Sequence, residues 1–172
     1  MADWAMVKKR RVFEQGHRRK FLVVVDEAPE VESALFFAAS RIGHTGGQIV
    51  LVYIIEPQGF HQWMGVRQAQ LDEETNKAKA LFRLFRRKLN NAGFDQIGTE
   101  EVIRQGKKPE EIVKLIDQDE DIAILVLGAS TNPKGPGPLV SSLAGGKQAG
   151  SFPVPIVVVP GNLNIENLKA LA

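Results

Sequence analysis

Cysteine is absent from the 172 residues. Disulfides, thiolate metal centres and cysteine nucleophiles are excluded, and the composition suits a reducing cytoplasm. No apolar run approaches the roughly 20 residues of a membrane span. The N-terminus is basic, but no apolar stretch follows it as in a secretory signal. There is no internal repeat. The three histidines, His17, His44 and His61, have no spacing to a carboxylate or to each other that marks a metal site or a triad. No Gly-Lys-Ser/Thr occurs, and Gly146-Lys147-Gln148 falls short of a Walker loop. The Gly-x-Ser-x-Gly elbow of hydrolases is missing as well. Asp117, Asp119, Glu120 and Asp121 lack the glycine and distal Glu of a calcium loop, so they read as a solvated turn. An enzyme is therefore the least supported reading.

What remains is enough for one folded domain. The chain is 44% hydrophobic, and its length matches a single core. Net charge is +2, yet residues 1–20 hold seven Lys or Arg against two acids, so the rest is net acidic. The leader contains Lys8-Lys9-Arg10-Arg11 and Arg18-Arg19-Lys20 and no sustained apolar period. It reads as a flexible tail or, more sharply, as an arm for nucleic acid or anionic lipid. Trp4, Val12 and Phe13 are the residues that could pin it to the body.

The chain is organised around Ile122–Ser142, IAILVLGASTNPKGPGPLVSS. Ile122 to Leu127 is an apolar run without alternation, as in a strand covered on both faces. It enters Gly128, Ala129 and Ser130, then a loop rich in Gly and Pro. Pro138 suits the first turn of a helix over Leu139 to Gln148. A strand end, a glycine-bearing loop and a helix N-terminus form an anion-binding geometry.

Four more strands are expected. Phe21–Val25 ends at Asp26, and Gln48–Ile55 is a second buried run. Glu101–Arg104 is short and weak. Pro153–Val159 has the prolines of an edge strand. Between them lie helices. One carries Val31, Leu35, Ala38 and Ile42 and stops at Gly43. A long one spans Gln68 to Asn91, with Phe82, Phe85 and Leu89 on its core face and a Glu73–Lys77 pair. Its Arg83, Arg86, Arg87 and Lys88 read as a solvated face. A third helix opens at Pro109. The order predicts an α/β fold: a five-stranded, mostly parallel, doubly wound sheet with helices on both faces. If strands one and four are its central neighbours, Asp26 and Gly128 open into one crevice. The expected divisions are a leader at 1–20, the domain at 21–161 and a tail at 162–172.

Taken together, Asp26 at the end of strand one, the run Leu51-Val52-Tyr53-Ile54-Ile55, the segment Val126–Ser130 and the final Pro155–Pro160 resemble the universal stress protein family. ATP-binding members carry Gly-x2-Gly-x9-Gly-Ser/Thr after the fourth strand. In the same register this chain has Gly128, Ala129, Ser130, Thr131, nine residues, then Ser141-Ser142. Thr131 and Ser141 replace the second and third glycines. The resemblance implies Asp26 on the ribose, Val52 in the segment near the adenine, and Gly128, Ser130, Thr131, Ser141 and Ser142 around the phosphates. It implies Mg-ATP as the ligand, held weakly, with slow hydrolysis at most. It also implies a homodimer through the apolar edge Ile156–Val159. The degenerate glycines leave a second reading open: a homodimer that binds no nucleotide and acts through protein contacts.

Overall fold

The computed structural model describes residues 7–57 and 64–172. Trp4, Gly59, His61 and Trp63 lie outside the described residues. Strands and helices alternate: β1 (Lys20–Val24), α1 (Val31–Thr45), β2 (Gln48–Ile55), α2 (Met64–Asn91), β3 (Gly98–Gln105), α3 (Lys108–Gln118), β4 (Ile122–Ala129), β5 (Ile156–Pro160) and α4 (Ile165–Leu171). The five strands form one sheet in the order β3-β2-β1-β4-β5, and every pair is parallel. The fold is the doubly wound α/β sheet that the alternation of apolar runs and amphipathic helices predicts.

The sheet separates two cores. Phe21 and Val23 of β1 point into one, with Leu35 and Ile42 of α1, Phe82 and Phe85 of α2 and Leu168 of α4. Leu22 and Val24 point into the other, with Ile112 and Ile116 of α3 and Leu143. Both faces of β1 are therefore dry, which is why its sequence shows no polar alternation. Each fully buried Leu or Ile here contributes roughly 1.5–3 kcal/mol relative to exposure.

Helix ends follow local chemistry. α1 runs through Gly43 and stops at Gly46, whose φ is 81° and whose N–H returns to the Ile42 carbonyl at 2.7 Å. α2 begins at Met64, earlier than the periodicity predicts. Its Lys77 pairs with Glu74 at 3.5 Å and Glu27 at 3.4 Å rather than with Glu73. Arg83, Arg86 and Arg87 are exposed, as expected of a solvated face. α4 is capped by Asn164, whose side chain accepts from the Asn167 N–H at 2.8 Å.

The helix expected over Leu139–Gln148 is instead a single π turn, Val140–Ala144, and a 3-10 turn, Ala149–Ser151. The Gly145 N–H reaches back five residues to the Val140 carbonyl at 3.1 Å. Gly145 and Gly146 follow at once, and glycine is a poor helix former. β3 is longer than expected.

Residues 7–20 lie against the N-terminal end of the sheet. Arg10 Nη1 donates to the carbonyls of Ile116 at 2.6 Å, Asp119 at 2.9 Å and Ile122 at 3.1 Å. It thus closes the C-terminus of α3 and the entry to β4. Lys20 Nζ bridges Glu100 at 2.7 Å and Asp119 at 2.9 Å, and His17 Nδ1 meets Asp121 at 2.6 Å. The acidic turn that reads as solvated is the partner of the basic segment. Val7 packs on the second core, whereas Phe13 is 92% exposed and pins nothing.

Candidate functional site

The chain winds outward through β1, β2 and β3, then crosses back to place β4 on the other side of β1. That reversal is the switch point, and the carboxyl ends of the two strands part there. Val23 pairs with Val126, so Asp26 and Gly128 emerge within one residue of the same level. A cavity of about 390 Å³ opens between them. Val24 and Leu127 form its floor, Pro136 and Pro138 one wall, and the N-termini of α1 and α3 supply Glu30, Lys108 and Pro109.

Each strand end sets its side chains for a local reason. Asp26 Oδ1 accepts from the Ala28 N–H at 2.7 Å, a turn that swings the chain into α1. Its other oxygen has no hydrogen-bond partner among the described residues. Gly128 is glycine because α1 begins against it: a Cβ there would collide with the Glu30 carbonyl. Behind the crevice, Tyr53 donates to Glu74 Oε2 at 2.5 Å. Burial first, then that bond and the charges of Glu74, Glu27 and Asp26, push its phenol well above the ordinary tyrosine range.

The loop after β4 folds on itself. The Ser130 N–H donates to the Pro136 carbonyl at 2.9 Å, and Ser130 Oγ accepts from the Asn132 N–H at 3.1 Å. Asn132 in turn accepts from the N–H groups of Lys134 and Gly135, both at 3.0 Å. The backbone reverses at Gly135 and Gly137, with φ of 140° and 106°, and no described residue other than glycine has positive φ. Thr131 therefore sits in the register of a glycine without taking a glycine's conformation. The Ser141 N–H is also spent, on the Gly137 carbonyl at 3.1 Å.

Of the residues singled out from sequence, Asp26, Gly128 and Ser142 line the crevice. Ser130, Thr131 and Ser141 do not: Ser130 holds the loop together, and Thr131 and Ser141 face solvent beside it. The Val52 side chain is fully buried in the second core, and its carbonyl accepts from the Val25 N–H at 2.8 Å. Three charged lining residues were missed: Glu30, Glu56 and Lys108. Their signal is positional. Glu30 and Glu56 follow the strands β1 and β2 closely, and Lys108 opens α3, so all three stand at the carboxyl end of the sheet.

The model of the universal stress protein family matches residues 17–160. The chain belongs to that family. Solved structures agree on the fold. Universal stress protein UspA from Lactobacillus plantarum superposes with a TM-score of 0.67 at 19% identity, covering 82% of this chain and 97% of that one. The universal stress protein from Archaeoglobus fulgidus in complex with dAMP gives 0.52 at 18% identity, covering 82% and 97%. A universal stress protein family protein from Arabidopsis thaliana with AMP bound gives 0.51 at 13% identity, covering 83% and 91%. No curated protein matches the chain in sequence.

The two halves of the crevice in this universal stress protein domain offer different chemistry. The strand-end half offers Asp26 and a deep apolar floor. The loop half offers few free amides, since Ser130, Asn132, Lys134, Gly135 and Ser141 spend theirs internally and Pro133, Pro136 and Pro138 have none. Nor do three Asp, Glu or His side chains converge as metal ligands among the described residues. None of their helices is long and apolar enough to cross a membrane.

Proposed function

We propose that this universal stress protein domain binds an adenine nucleotide weakly in the crevice between β1 and β4. The observation that carries the reading is the shared opening of Asp26 and Gly128 into one cavity of about 390 Å³, a volume within the range of small-molecule sites. The same fold is described with dAMP, cAMP and AMP in three solved structures. Asp26, with one oxygen unpartnered, would accept from ribose hydroxyls, and Ser142 would stand at the loop end. Weakness follows from the loop: phosphate is normally met by free amides, and those of Ser130, Asn132, Lys134, Gly135 and Ser141 are engaged.

Calorimetric titration with AMP and with ATP, with and without Mg, tests the reading. The expected result is saturable heat with a dissociation constant above roughly 1 μM. Asp26→Asn, which keeps the acceptor for the Ala28 N–H, should remove that heat without lowering the melting temperature. No heat with any adenine nucleotide would overturn the assignment.

A homodimer through β5, which the family resemblance implies, has its own support. Val158 is 39% exposed on an edge strand that only β4 pairs. It is compatible with nucleotide binding and does not depend on it.

A further inference from the structure

We propose that the crevice selects against ligand charge, taking an uncharged nucleoside in preference to a polyphosphate, and that Glu30 sets this preference. The inference rests on the adenine-nucleotide reading for base and ribose, and concerns what is attached to them.

Glu30 is held in place by its backbone. Gly128 lies against its carbonyl, and a Cβ on Gly161 would stand 3.0 Å from the Glu30 Cβ. Two chain segments thus clamp the residue, and it cannot swing out of the crevice as a unit. Its side chain reaches toward the loop: Glu30 Oε1 is 4.0 Å from where a Cβ on Gly137 would be. Gly137 leads into the turn at Val140–Ala144, where the backbone would otherwise be best placed to meet a phosphate. A carboxylate therefore occupies the phosphate end of the site.

No described side chain pairs with that charge. The Glu30 carboxylate has no ion pair or hydrogen bond among the described residues, and it makes no capping bond to α1. Among the described residues, the charged ones lining the cavity are Asp26, Glu30, Glu56 and a single cation, Lys108. Among the described residues no three carboxylates converge on a metal position that would hold a divalent ion to offset them. Each phosphate added to a nucleoside brings more negative charge to a wall that is already negative, and the partly desolvated setting screens it less than water would. An uncharged ligand meets no such opposition.

The test is calorimetry on the full chain with adenosine, AMP and ATP, the last with and without Mg. Adenosine should bind about tenfold or more tightly than ATP, with AMP between them. Glu30→Gln keeps the shape and removes the charge. It should raise ATP affinity about tenfold and leave adenosine within about twofold. A salt titration of the unaltered protein gives an independent readout: screening should strengthen ATP binding and leave adenosine unchanged. ATP binding tighter than adenosine, an unchanged ratio in Glu30→Gln, or ATP affinity that falls with salt would overturn the inference and leave nucleotide binding standing. No binding of any of the three would overturn both.

Discussion

Gly128 and Glu30 share one point in space: the volume a Cβ would need on Gly128 is filled by the Glu30 carbonyl. The glycine in the family's phosphate-loop register thus has a packing reason to be glycine, whether or not a phosphate ever comes near. It lets α1 start directly against β4. Gly128→Ala should therefore push the two elements apart, costing about 1–3 kcal/mol as overpacking does. Urea unfolding measures this. A midpoint equal to that of the unaltered chain would show that the α1 start yields without strain.

Arg10 joins the leader to the body through three carbonyls. Burial pulls its guanidinium below the usual arginine range, while Asp117, Glu120, Asp119 and Asp121 oppose that loss, so it stays charged. Arg10→Ala would leave the α3 terminus open and the acidic turn less balanced. The expected loss is about 1.5–3 kcal/mol, the range of hydrogen bonds to charged groups. Arg83→Ala, on an exposed face, should stay within about 0.5 kcal/mol. Equal effects of the two substitutions would mean that the Arg10 bonds add nothing to stability.

The buried strands were legible because a parallel sheet covered on both faces leaves apolar runs, and Phe21–Val25 and Ile122–Leu127 are such runs. The pairing of β1 with β4 followed from the fold class. β3 was seen only in part: it is an edge, and Glu100, Glu101 and Arg104 give it no apolar pattern. The match of basic leader to acidic turn was hidden for another reason. Arg10 and Asp119 are 109 residues apart, and a charge run carries no record of its partner. Within the site, Asp26 and Gly128 were readable from their register after strands. Glu30 was readable only as a helix-start acid, because its role depends on two distant glycines that bracket it.

Tyr53 is the only tyrosine in the chain, so its titration can be followed without ambiguity. Burial and the bond to Glu74 raise its pKa in the folded state. The neutral phenol is thus favoured by folding. Its contribution is fully present below the ordinary value of about 10 and is lost as pH climbs beyond it. Lys20 adds to the same trend. Burial alone would lower it, but its bonds to Glu100 and Asp119 carry it above the usual lysine range. Tyrosinate absorbance should therefore lag behind that of free tyrosine and appear together with unfolding. Tyr53→Phe should flatten the alkaline loss of stability. Ionisation of the folded protein near pH 10 would contradict the burial argument.

The two sheet edges differ in how they are protected. β3 carries charges that are engaged, Glu100 with Lys20 and Glu101 with Arg86. β5 carries Ile156, Val157 and Val158, and no described strand pairs with its outer side. An apolar, unpaired edge invites a second strand. Val158 is the exposed member, so a charge there would block pairing without disturbing the core face, where Val159 is buried. Light scattering should give twice the 18.9 kDa of one chain for the unaltered protein, and a single chain for Val158→Lys with an unchanged circular dichroism spectrum. A monomer in both cases would remove β5 as an interface, and a dimer in both would place the contact elsewhere on the surface.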